Sequence, residues 1–136
     1  MRTYVWLALG LVSVGGLIRA AEKPPEVHVN AMKANGAAQM SLRGNVTARN
    51  YDGIVKDAAT LKASLTTTEQ WWTARKADDA IAAARAGLKA ATDLESAAQA
   101  KNDEGIANAQ RALQGACMSC HQAHRERLPD GTYEIK

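Results

Sequence analysis

Two cysteines and a histidine near the end of the chain carry the strongest chemical signal, Cys117-Met118-Ser119-Cys120-His121. C-x-x-C-H is the pattern of covalent haem attachment. Thiols three residues apart on a helix share one face, so each can add across a vinyl group at the edge of one porphyrin. The adjoining His121 is then positioned to bring a ring nitrogen to the iron, and imidazole suits iron. Rival uses of these residues are weaker. A redox dithiol goes with a βαβ pattern, which this sequence lacks. A structural zinc site takes four ligands. Only His28, His121 and His124 could join the two cysteines, and nothing sets them up as a pair. A simple disulfide leaves His121 without a role. The expectation is one covalent haem c per chain, with its iron bound by His121.

The chain's beginning supports an oxidising, exported setting. Arg2 precedes an uncharged apolar run from Val5 to Ile18, and Ile18-Arg19-Ala20 offers a small residue for cleavage before Ala21. This reads as a secretory signal peptide over residues 1–20. The run is short for a membrane span, which needs about 20 residues. No stable membrane insertion is expected once the signal is cut, and the location expected is periplasmic. The full sequence has 17 basic and 14 acidic residues. Residues 1–20 hold two of the bases, Arg2 and Arg19, and no acid, so the mature chain carries 15 against 14. A near-neutral chain gives no basic patch for nucleic acid.

The elements that must hold the motif read as helices. The 136 residues suit one small domain, and they include no Phe and only 4% aromatics. Ala, Leu, Gln, Lys and Glu dominate, which favours helix. A core this thin in bulky residues gains much from a large apolar cofactor. Pro25 suits the first position of a helix from Glu26 to about Arg43. Val29, Met32, Gly36 and Met40 form its stripe, and Gly44 its stop. Asn50 caps a second helix, Tyr51 to about Leu65. Thr66-Thr67-Thr68-Glu69 reads as a break with a capping box. The third helix then carries Trp72, Ala80, Ala84, Leu88, Ala91 and Leu94 inward, with Asp78 and Asp79 in water. Asn102 and Asp103 cap the fourth, whose stripe is Ile106, Ala109, Leu113, Ala116 or Cys117, and Cys120, and which ends before Pro129. A Pro-Asp-Gly turn leads into an extended tail. Short links predict an all-α, antiparallel up-and-down four-helix bundle. Residues 21–136 form one haem domain, with the bundle over about 26–128 and the tail over 129–136.

A haem motif in the last helix of such a bundle resembles the class II c-type cytochromes, the cytochrome c′ family. Arg125 stands four residues after the haem histidine, as in that family. Met32-Lys33-Ala34-Asn35-Gly36 looks like part of its first helix, and Trp72-Thr73-Ala74-Arg75 like the start of its third. The resemblance covers roughly Val27 to Arg127. His124 departs from the pattern, replacing the usual aromatic before the arginine. His28 stands where the family often has a more basic residue.

The resemblance implies that function turns on the sixth iron ligand, supplied or withheld by the first helix. A methionine there gives a low-spin electron carrier, since a thioether raises the potential and closes the iron to small ligands. Met32 occupies that position, although a methionine packing against the haem would look the same in sequence. Met40 and His28 are alternatives, and an apolar distal face with no ligand is another. That last case implies a five-coordinate, gas-binding protein for nitric oxide or carbon monoxide. Met118 lies on the attachment side and cannot reach across, and His124 is confined to the proximal side. Arg125 is expected to shield His121 or pair with a propionate. Trp72 is expected on the haem or the core, and Trp71 on a partner surface. The leading expectation is a periplasmic electron carrier with a His121/Met32 haem and redox proteins as partners. It is not expected to be an enzyme, because no separate acid–base pair is present. Alanine-rich faces would also permit a homodimer through the first two helices, as in the family.

Overall fold

The computed structural model describes residues 21–136, so the expected signal peptide lies outside the described residues. Four helices follow in order: α1 (Glu26–Thr47), α2 (Tyr51–Arg75), α3 (Asp78–Gln99) and α4 (Asp103–His124). Two short strands close the chain, β1 (Arg125–Arg127) and β2 (Tyr133–Ile135). Each helix packs antiparallel on the next, α1 on α2, α2 on α3 and α3 on α4. This is the expected all-α up-and-down bundle. No described helix is long and apolar enough to cross a membrane.

The joins follow local chemistry, with some shifts from expectation. Pro25 sits one residue ahead of α1, in extended geometry, and its carbonyl accepts from the His28 and Val29 amides at 3.0 Å each. Gly44 does not stop α1. Its carbonyl accepts from the Ala48 amide, and the chain turns instead at Arg49, with φ of 52°. Asn50 and Asn102 cap α2 and α4 as expected, each accepting from the backbone N–H three residues on. The break expected at Thr66–Glu69 is absent, and α2 runs on for ten residues to Arg75. The threonine hydroxyls point back into the helix rather than capping a new one. Thr66 donates to the Lys62 carbonyl at 2.8 Å and Thr68 to that of Ser64 at 2.9 Å, the back-bonding open to Thr inside a helix. Trp72 therefore belongs to the last turn of α2, not to α3. The true break is Lys76, in left-handed geometry with φ of 54°.

The main core is a short column of aliphatic side chains. Ile54, Leu61, Leu94 and Ile106 are its largest fully buried members. A second, smaller cluster of Trp72, Ala77 and Ala80 lies beside Cys120 and Ile135. The expected stripe of α1 is rotated. His28, Ala31, Asn35, Ala38 and Leu42 are the buried positions, while Met40 is 75% exposed. The reason lies in the neighbours of α1. It packs firmly on α2 alone, and its other flank, carrying Val29, Met32 and Gly36, opens on a cavity between α1 and α4. A second, more polar cavity continues along the same seam between Gln39, Arg43, Gln110 and Arg111. The bundle is thus left unclosed along one edge.

Candidate functional site

The larger cavity has a volume of about 610 Å³, within the ~300–1,000 Å³ typical of cofactor and ligand sites. Cys117, Cys120, His121, Arg125, Trp72 and Met32 all line it, so the structure brings together every site residue named from the sequence. His28 and His124 line it too, whereas Met40 does not. Met118 is 57% exposed. The space exists because small residues surround it. An added Cβ at Gly36 would meet nothing within 4 Å, and Ala83, Ala84 and Ala116 form other parts of the wall.

α4 presents the motif to this space. Cys117, Cys120 and His121 continue the line of the buried Ile106, Ala109 and Leu113, and become half-buried where the packed core gives way to the cavity. Both thiols are free. Burial pushes the Cys117 thiol up, opposed by a contact from Gln39 Nε2 at 3.8 Å. Burial, then the neighbouring Cys117 and Asp79, push Cys120 up to about 11. Both cysteines are therefore protonated at neutral pH, the form that adds S–H across a vinyl C=C with no oxidant.

The histidines are biased the other way. Burial, then the Arg125 charge, hold His121 below its ordinary value. Burial, then His121, do the same for His28. Desolvation disfavours the charged imidazolium in each case, and the neutral ring is the form that ligates a metal. His28 is only 6% exposed, its ring centroid lies 4.3 Å from that of Trp71, and its Nδ1 is buried without a partner. Trp72 Nε1 is likewise buried and unpartnered. Such orphans are rare in a finished protein interior. Both residues line the cavity, while these two atoms themselves are buried beneath its surface.

Three features of the site were not read from the sequence. Trp71 packs against His28 and Trp72 while staying partly exposed, with the Arg75 guanidinium 4.0 Å from its ring centroid. Asp79 is exposed, yet it accepts a 2.8 Å bond from His124 Nε2 that helps hold its carboxyl below the usual range. This bond fixes the residue just before Arg125. Arg125 itself lies 3.4 Å over the Tyr133 ring, so the tail forms part of the wall. The alternating tail was legible as a strand, but its destination was not.

Among the described residues, no group of three or more His, Cys, Asp or Glu is placed to hold a bare metal ion. The donor set present, two thiols and an imidazole on one apolar wall with Met32 and His28 contributed by α1, fits a planar group that brings its own iron. Comparison with known proteins gave no matching family model, no significantly similar curated protein and no significantly similar solved structure.

Proposed function

We propose that this chain is a monohaem c-type cytochrome, an exported carrier of single electrons. The observation that carries the reading is the cavity in the open α1–α4 seam, lined at once by Cys117, Cys120 and His121 from α4 and by Met32 from α1. The two cysteines would hold haem c through thioether bonds, His121 would ligate its iron and Met32 would complete the coordination. The haem, when bound, supplies a one-electron Fe(III)/Fe(II) couple. The chain's own residues do the rest. His121 is kept neutral by burial and by Arg125, and Met32 closes the far side to small ligands. Trp72, the alanines and Leu65 exclude water, which keeps the surroundings of the iron apolar and so sets its potential. Electrons would pass by outer-sphere transfer to redox partner proteins, with no substrate at the iron and no enzymatic step. Periplasmic location and a homodimer through α1 and α2 belong to the same proposal.

The test is the visible absorption spectrum of the exported protein, oxidised, reduced, and reduced under carbon monoxide. Sharp low-spin bands, a weak sulfur-to-iron band in the oxidised form and indifference to carbon monoxide are expected. Met32→Ala should abolish the weak band and admit carbon monoxide. Broad high-spin bands in the unaltered protein, shifting with carbon monoxide, would replace electron transfer by gas binding. Absence of a haem spectrum would remove both.

A further inference from the structure

The terminal strand β2 joins parts of the molecule that no helix packing joins. On one side it pairs antiparallel with β1, Arg125 opposite Ile135 and Arg127 opposite Tyr133. On the other it meets the segment ahead of α1: the Glu22 amide donates to the Ile135 carbonyl and the Ile135 amide to the Glu22 carbonyl, each at 2.9 Å. The Lys136 amide donates to the His124 carbonyl at 3.1 Å. Side chains reinforce the backbone. Ile135 packs against the cluster of Trp72, Ala77 and Ala80, Tyr133 lies under the Arg125 guanidinium, and Arg75 pairs with the Glu22 carboxylate. The turn that returns the chain is itself locked, with Asp130 Oδ1 accepting from the Thr132 amide at 2.9 Å and its hydroxyl at 2.7 Å.

This staple crosses the end of the seam where α1 begins and α4 ends, and residues 132–135 form part of the wall of the larger cavity. A bundle that relied on α1–α4 packing would need no such segment. Here those helices are held apart by the cavity, and the tail closes the end.

We propose that residues 128–136 are an access-determining strap, limiting which small molecules reach a group bound against Cys117, Cys120 and His121. The inference rests on the haem reading above. The strap holds Ile135 and Tyr133 where water would otherwise enter, and so separates the site's interior from solvent without supplying a ligand.

The experiment compares the exported full chain, a chain ending at Leu128, and the full-length variant Ile135→Asp. Haem content by pyridine haemochrome comes first and is expected to be equal in all three, since the attachment residues are untouched. Oxidised proteins are then titrated with imidazole, followed by absorbance, and their midpoint potentials are measured. Both variants should bind imidazole at least about tenfold more tightly, a factor worth roughly one step in the affinity scale. Their potentials should fall, because water near the iron favours the more charged oxidised form. If the shortened chain fails to fold, Ile135→Asp carries the test alone, since it keeps every backbone pairing. Equal imidazole affinity and potential in haem-loaded Ile135→Asp and the full chain would overturn the strap and leave the cytochrome reading standing. A full chain without haem would overturn the cytochrome reading, and the strap proposal with it.

Discussion

The reactivity of Cys120 in the chain with no group attached offers a direct check on the site's electrostatics. Its thiol is pushed from the ordinary 9.0 up to about 11. At pH 8 that lowers the thiolate fraction from about 10% to about 0.1%, a factor of about 100, and the thiolate is the nucleophile. A more basic thiolate is also intrinsically stronger, with a Brønsted slope of about 0.4–0.5. Two units of basicity recover about eightfold. The net expectation is reaction about tenfold slower than for an unperturbed cysteine, with steric shielding adding to this. The assay uses the Cys117→Ser chain, produced without haem attachment, so that Cys120 is the single thiol. Its reaction with an aromatic disulfide reagent is followed from pH 7 to 10, folded and in urea. The folded rate should lie below the unfolded one at pH 8, by up to about tenfold, and should still be rising at pH 10. Removing Cys117 takes away the second of the three causes of the shift, so tenfold is an upper bound; burial, the largest cause, and the weaker Asp79 effect remain. Equal folded and unfolded rates, or a plateau between pH 8 and 9, would refute the reasoning and with it the apolar character of the wall that carries Cys120.

Three further outcomes follow from the structure. His28 and His121 are both held below their ordinary 6.5, so the unfolded chain binds more protons than the folded one just below that pH. The stability of the chain with no group attached should be full above about pH 6.5 and fall on acidification, by at most about 1.4 kcal/mol per pH unit for each of the two protons. His28→Leu should flatten that fall in urea titrations, and an unchanged profile would show that His28 is not the group responsible. Leu94 is fully buried in the main core, and Leu94→Ala should lower the unfolding free energy by about 2–5 kcal/mol, read from the urea midpoint. Gly53 sits under the α2 cap, where an added Cβ would lie 2.5 Å from Asn45 Oδ1 and 2.6 Å from Asn50 Nδ2. Gly53→Ala should therefore displace the Asn50 cap and its Asn45 partner, costing about 0.5–2 kcal/mol against alanine's better helix propensity. A thermal melt at or above that of the unaltered chain would contradict the crowding.

Much of the fold was legible in local pattern. Asn50 and Asn102 announce α2 and α4 because a side-chain oxygen at those positions satisfies an end-of-helix amide whatever the rest of the chain does. The stripe Ile106, Ala109, Leu113 gives the face of α4 for the same local reason. The threonine run misled because a hydroxyl can cap a new helix or bond back into the old one, and packing of Trp72 under α1 and α4 favours the second. The stripe of α1 misled because periodicity shows that a helix has an apolar face without showing what that face meets. Met32 and Met40 are chemically alike in sequence, yet one lines the cavity and the other stands in solvent.

The sequence by itself determined the chemistry at one end of α4: two thiols and an imidazole at a spacing that a helix places on one side. Helix geometry guarantees that arrangement wherever α4 lies. Only the tertiary structure decided what faces it. The open α1–α4 seam, the burial that raises Cys120 and lowers His121 and His28, and the backbone bridge between Glu22 and Ile135 all depend on residues far apart in the chain. Desolvation and cavity shape are properties of the volume several elements jointly exclude from water, and no single segment encodes them.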